Sequence, residues 1–174
     1  EIQIIAADGK IETVKSKNTI IATGSVPSSL PGIEIDEKSV VSSTGALALP
    51  QVPQKLIVVG GGYIGLEMGS VWHRLGADVE VIEFQERIIP NMDNTLSQEL
   101  LRILKKQGLL FRLGTSVKKI ESNGLISTLT IEKSGKSETL RCDKVLMSVG
   151  RKPFTAGLGL EAIGVQTDKR GFIT

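Results

Sequence analysis

Residues 56–83 read LIVVGGGYIGLEMGSVWHRLGADVEVIE, and the reading of this stretch decides the fold. Leu56 to Val59 is a short apolar run with two valines, the composition of a parallel strand buried on both faces. Gly60-Gly61-Gly62-Tyr63-Ile64-Gly65 follows at once with the spacing G-x-G-x-x-G. Beyond it, Ile64, Met68, Val71 and Leu75 recur at helical spacing and predict a helix with that face turned to the sheet. Gly76 sits where a left-handed cap ends such a helix. Val79 to Phe84 reads as a second strand, and Glu83 falls about 20 residues beyond the glycines. The glycine spacing alone is a weak signal. A strand before it, a helix after it and an acid at that distance make it a dinucleotide-binding pattern.

Each position has a physical task. Gly60 makes the tight turn, Gly62 lets a pyrophosphate approach the backbone, and Gly65 lets the helix pack closely on the strands. Gly69 extends that close approach by one turn. Unpaired N–H groups at the helix start, together with the positive end of its dipole, suit a diphosphate. The expected binding residues are therefore Gly60, Gly61, Gly62, Tyr63, Ile64, Gly65 and Leu66, with Glu83 accepting hydrogen bonds from the adenine ribose. A 2′-phosphate at that ribose would face the carboxylate. One like-charge pair at about 4 Å costs up to about 4 kcal/mol at an effective dielectric of 20. Half of that is about a thirtyfold loss of affinity. Glu86 adds negative charge nearby, against Arg87, so NAD is expected over NADP.

Working outward, Asp93 can cap a second helix with the stripe Leu96, Leu100, Ile103 and Leu104, and Gly108 ends it. Leu109 to Leu113 is a third strand. The rhythm then changes to three short strands, Ser116 to Glu121, Leu125 to Glu132 and Ser137 to Cys142, with turns at Asn123-Gly124 and Ser134-Gly135. Lys144 to Ser148 is a last buried strand. On the amino-terminal side, Ile2 to Ala6 and Ile11 to Val14 read as a hairpin about Asp8-Gly9. Thr19 to Ala22 reads as a further strand, Val40-Val41 as an edge strand, and Ser42 to Leu49 as a short helix or turn. The fold class expected is α/β, a Rossmann-like doubly wound parallel sheet with an inserted three-stranded antiparallel meander.

Composition narrows the function. The 174 residues are 40% hydrophobic and 23% charged, the balance of an ordinary globular chain. A net charge of +2 with scattered lysines and 3% aromatics points to no nucleic-acid partner. No run approaches the roughly 18 apolar residues of a membrane helix, so no membrane partner is expected. The single cysteine, Cys142, can form neither an internal disulfide nor a zinc site, and no metal site is expected. Glu1 and Thr174 both fall in strand-like runs, which leads us to expect a piece of a longer protein.

The stretch 60–83 resembles the NAD-binding domain of the flavin-dependent disulfide reductases. Ile20-Ile21-Ala22-Thr23-Gly24-Ser25 with Pro31-Gly32, Ser43-Thr44-Gly45-Ala46-Leu47, Ser148-Val149-Gly150-Arg151-Lys152-Pro153-Phe154, Leu158-Gly159-Leu160-Glu161 and Gly164-Val165 are similar to the same family. Within it, the chain is most similar to the branch that oxidises dihydrolipoamide for the 2-oxoacid dehydrogenase complexes. The resemblance implies an end of the FAD domain and linker at 1–35, an NAD-binding domain at 36–152 and a return toward the FAD domain at 153–174. It also implies Glu67 at the nicotinamide carboxamide, Tyr63 over the nicotinamide, Val117 and Gly150 at the two ends of NAD, and Thr23, Gly24 and Ser25 touching FAD. The partners implied are the FAD and interface domains of the parent, a homodimer and a 2-oxoacid dehydrogenase complex, in the cytoplasm or mitochondrial matrix.

The family's redox cysteine pair, first glycine fingerprint and histidine–glutamate pair have no counterpart here, so no catalytic residue is expected in this chain. His73 reads as a surface histidine and Trp72 as packing. Other flavoenzymes, such as NADH oxidases, and a freestanding NAD-sensing module remain open as alternatives.

Overall fold

The computed structural model describes residues 1–174 as two compact units, one of residues 26–152 and one of residues 1–25 with 153–174. In the larger unit, β4 (Val40–Val41) leads into a short helix α1 (Ser43–Leu47) capped by the Ser42 hydroxyl. Then come β5 (Lys55–Val59), α2 (Tyr63–Arg74), β6 (Asp78–Ile82), α3 (Asn94–Lys106) and β7 (Leu110–Arg112). Three antiparallel strands follow, β8 (Ser116–Ser122), β9 (Ser127–Lys133) and β10 (Lys136–Cys142), before β11 (Lys144–Met147). The main sheet has the order β4-β11-β5-β6-β7, with every pairing parallel. The meander sits between β7 and β11 in sequence and forms its own sheet.

Strand alternation sorts the core into two layers. Leu56, Val58, Val79, Val81 and Leu146 face Ala46 of α1, Leu66, Met68 and Trp72 of α2 and Leu104 of α3. Their neighbours Ile57, Val59, Ile82, Val145 and Met147 face Leu129, Ile131, Leu140 and Cys142 of the meander. Both faces of the sheet are thus covered, which is why its strands are continuously apolar.

Half of each expected helix face holds: Ile64 and Met68 of α2 and Leu100 and Leu104 of α3 pack on the core, and the rest of each stripe does not. The inward residues of α2 are Gly65, Leu66, Met68, Gly69 and Trp72, while Val71 is 48% and Leu75 57% exposed. The glycines let the helix press onto the sheet along their own line, and this turns the larger side chains at 71 and 75 outward. In α3 Ser97 and Leu104 are buried and Leu100 and Leu101 pack against the same core, while Leu96 and Ile103 are exposed. Ser97 is drawn in because its hydroxyl donates to the Ile88 carbonyl at 2.7 Å. Asp93 caps α3 as expected, accepting from Thr95 and Leu96 amides. His73 is half-buried rather than a free surface residue. Its two ring nitrogens lie 3.1 Å from the Ala77 carbonyl and 2.8 Å from the Gln107 carbonyl, so it ties the ends of α2 and α3.

The smaller unit contains the hairpin β1 (Ile2–Ile5) and β2 (Ile11–Val14), turning at Asp8-Gly9. Its carboxyl-terminal part has a single 3₁₀ turn, Glu161–Ile163, and an isolated bridge between Thr167 and Ile173. No strand forms at 19–22: Ile20 is 89% exposed and has no partner strand to complete a ladder. The strand lies later, at β3 (Ser25–Pro27), which pairs with β12 (Arg151–Pro153).

Glu80 is buried between the central strands. Glu80 of β6 accepts from Arg112 of β7 and lies 3.1 Å from Lys55 of β5, and Arg112 in turn reaches Glu138 of β10 at 2.8 Å. Burial alone would raise its pKa, but the hydrogen bonds from Arg112 and Lys55 outweigh burial and hold the carboxyl below its ordinary value. A depressed carboxylate stabilises the fold above the unfolded pKa of about 4.3, and that contribution is lost as pH falls through the folded value. Glu80→Gln is expected to cost about 2 kcal/mol at pH 7, below the usual buried-pair loss because both cations are one-third exposed and can rehydrate. Denaturant melts should show the gap from wild type beginning to close as pH falls through about 4.3, and closing fully only below the depressed folded value, where Glu80 is protonated in both states.

Candidate functional site

The carboxyl ends of β5, β6 and β11 open onto a cleft of about 1630 Å³. Its walls include Gly60, Gly62, Tyr63, Glu67 and Glu83, with Val117 from β8 and Gly150 past β11. The cleft is large enough for a dinucleotide.

The glycine turn is held by its peptide units. Gly60 has φ +109°, a conformation that favours glycine, and its N–H donates to the Ile82 carbonyl at 2.8 Å. The Gly61 N–H donates to Glu83 Oε2 at 2.6 Å, and the Gly61 carbonyl accepts from the Ile89 N–H at 2.8 Å. A trans peptide directs its C=O and N–H to opposite sides. Fixing the Gly61 carbonyl on Ile89 therefore directs the Gly62 N–H the other way. The helix that follows has no side-chain cap, and Leu66 is the first residue with an intrahelical acceptor, the Gly62 carbonyl at 3.0 Å. The amides of Gly62, Tyr63, Ile64 and Gly65 are left as donors at the positive end of the dipole.

Glu83 is 9% exposed, and its second oxygen accepts from the Gln85 N–H at 2.7 Å. Two backbone donors orient the carboxylate toward the glycine turn and leave each oxygen a free lone pair. The nearby Arg87 guanidinium is engaged by the Pro90 carbonyl.

The cleft brings together Gly60, Gly62, Tyr63, Ile64, Leu66, Glu67, Glu83, Val117 and Gly150. Tyr63, 68% exposed, and Glu67 lie one turn apart on α2. Gly61 and Gly65 are buried behind this wall: a Cβ on Gly65 would lie 2.3 Å from the Gly60 carbonyl oxygen. Thr23, Gly24 and Ser25 belong by sequence to the smaller unit. There the Thr23 hydroxyl donates to the Phe154 carbonyl, and the Phe154 N–H donates to the Gly24 carbonyl at 2.9 Å. Sequence reasoning missed Ile89 to Met92, the segment that crosses the turn, and Ser148, which lines the cleft as well. No local pattern marks Ile89, a β-branched residue held at φ +38°. Cys142 is buried, and burial pushes its thiol up to about 12, so it stays a neutral packing group.

Residues 2–174 match the family described as pyridine nucleotide-disulphide oxidoreductase. The chain belongs to that family. Among its relatives, the mitochondrial dihydrolipoyl dehydrogenase of Pisum sativum is 51% identical over 99% of the chain and 35% of its own length. A leghemoglobin reductase of Glycine max is 51% identical over 99% of the chain and 34% of its own length. The dihydrolipoyl dehydrogenase of Trypanosoma brucei brucei is 51% identical over 99% of the chain and 37% of its own length. The chain thus spans about a third of the length of these relatives. Among solved structures, the flavoprotein disulfide reductase RclA of Escherichia coli aligns with a TM-score of 0.85 at 27% identity, over 99% of the chain and 38% of its own. LpdA of Mycobacterium tuberculosis aligns at 0.84 and 27%, over 97% and 36%. No helix of the chain is long and apolar enough to cross a membrane.

Two glycine substitutions separate folding from binding. Gly65→Ala forces the helix off the Gly60 carbonyl and is expected to cost about 1–3 kcal/mol of stability along with dinucleotide affinity. A Cβ at Gly62 meets nothing within 4 Å, so Gly62→Ala should keep the wild-type melting temperature and still weaken NADH binding by about tenfold or more through obstruction of the diphosphate. Melting curves and NADH titrations of both variants check this. Unchanged affinity in Gly62→Ala would remove the cleft from consideration.

Proposed function

We propose that residues 36–152 form the NAD(H)-binding domain of a dihydrolipoyl dehydrogenase. Residues 1–35 and 153–174 would then belong to the FAD-domain side of the same parent chain. The observation that carries this reading is the pairing of free amides at the start of α2 with a backbone-oriented Glu83 across one cleft. The residues fit the group. Gly62 has open space in front of it, the α2 amides suit a diphosphate, and Glu83 retains acceptor capacity for ribose hydroxyls.

In the parent, dihydrolipoamide would be oxidised to lipoamide with reduction of NAD⁺, by way of FAD and a redox disulfide outside this chain. When bound, NAD⁺ supplies the hydride acceptor, nicotinamide C4. This chain's part is to bind and orient. The α2 amides and Glu83 hold the adenine half, and Val117 lies on the wall beside it. Tyr63, Glu67 and Gly150 line the nicotinamide end, with Glu67 facing the carboxamide. Thr23, Gly24 and Ser25 are assigned to FAD contact. A homodimeric parent serving a 2-oxoacid dehydrogenase complex, in cytoplasm or mitochondrial matrix, completes the reading.

Direct titration of the 174-residue chain tests it. NADH is expected to bind about thirtyfold or more tightly than NADPH, because the 2′-phosphate would meet Glu83 and Glu86. The chain alone should produce no NADH from dihydrolipoamide. Equal affinities, or measurable turnover, would contradict the assignment.

A further inference from the structure

Ser148 stands one residue beyond β11, at the foot of the cleft. Its N–H donates to the Val59 carbonyl at 2.8 Å, extending the parallel ladder. Its Oγ lies 2.9 Å from the Val59 carbonyl oxygen and 3.2 Å from that of Gly60. A hydroxyl has one proton, so the two carbonyls share it as a three-centre bond. Two glycines make room for this residue. A Cβ on Gly60 would come within 2.4 Å of the Ser148 carbonyl oxygen, and one on Gly65 within 2.5 Å of Ser148 Oγ. Ser148 therefore touches the first and last glycines of the G-x-G-x-x-G turn.

The Gly60 carbonyl and the Gly61 N–H belong to one peptide unit and point to opposite sides of it. Ser148 Oγ holds the carbonyl side, and Glu83 Oε2 holds the N–H side at 2.6 Å. We propose that Ser148 is a positioning residue for dinucleotide binding, fixing the Gly60–Gly61 peptide plane from the side opposite Glu83. The inference rests on the dinucleotide reading given above. Glycines flank the plane on both sides and offer little steric resistance to its rotation. Without the hydroxyl, the plane is held on one side alone. Rotation carries the Gly61 N–H off Glu83, and the amides that follow lose their common aim. Ser148 thus acts through the turn, which meets the ligand.

The test is Ser148→Ala in the 174-residue chain, read by NADH titration and by amide hydrogen exchange. The Kd for NADH is expected to rise about three- to tenfold, the worth of one neutral hydrogen bond. Exchange at the Gly61 amide should accelerate while the Val58 and Val81 amides of the central strands keep their wild-type rates. A merely structural role would instead accelerate exchange across the sheet. Because both pins act on one plane, Ser148→Ala should add less than about twofold in a Glu83→Ala background. Unchanged NADH affinity, an unchanged Gly61 rate, or full additivity with Glu83→Ala would overturn the inference while leaving the dinucleotide reading intact. A wild-type chain that binds no NADH would remove both.

Discussion

The hydrogen bond from the Gly61 N–H to Glu83 joins the two halves of the candidate site. It ties the turn after β5 to the end of β6, so the amides at the start of α2 and the Glu83 carboxylate cannot move independently. Three neighbouring contacts complete the constraint: Gly60 on Ile82, Gly61 on Ile89 and Ser148 on the Val59 and Gly60 carbonyls. Binding energy is then not spent on ordering the turn, because folding has already ordered it.

That ordering depends on the sheet. β5, β6 and β11 are parallel and adjacent, so their carboxyl ends emerge together and deliver Gly60, Glu83 and Ser148 to one place. Ligand sites of open parallel sheets lie at these ends for the same reason. The helical layer and the meander bury the sheet from both sides, and the Lys55–Glu80–Arg112–Glu138 chain of charges links the central strands to the meander. The meander also brings Val117 to the cleft wall.

Much of this was legible in the sequence because the strand, turn, helix and second strand are contiguous. Gly60, Gly65 and Glu83 sit within 24 residues, and their grouping around one turn follows from spacing. Asp93 and the turns at Asn123-Gly124 and Ser134-Gly135 were legible because capping and turn chemistry are local. The inward face of α2 was legible only at Ile64 and Met68, because periodicity weighs side-chain size, whereas the contact line follows the absent side chains of Gly65 and Gly69. Ser148 reaches the turn from 88 residues away, and the His73 contact to Gln107 spans 34. Such pairings are decided by topology, and nothing in the flanking residues announces them. Ile20 misled in the other direction: a local apolar run has strand character only when a neighbouring strand is there to pair with it.

The most direct measurement is a crystal structure of this chain with NADH. The expected result is the diphosphate within hydrogen-bond distance of the Gly62, Tyr63 and Ile64 amides, with an adenine-ribose hydroxyl on Glu83. Nucleotide density elsewhere on the chain, or a ribose turned away from Glu83 while the diphosphate leaves these amides to water, would contradict it.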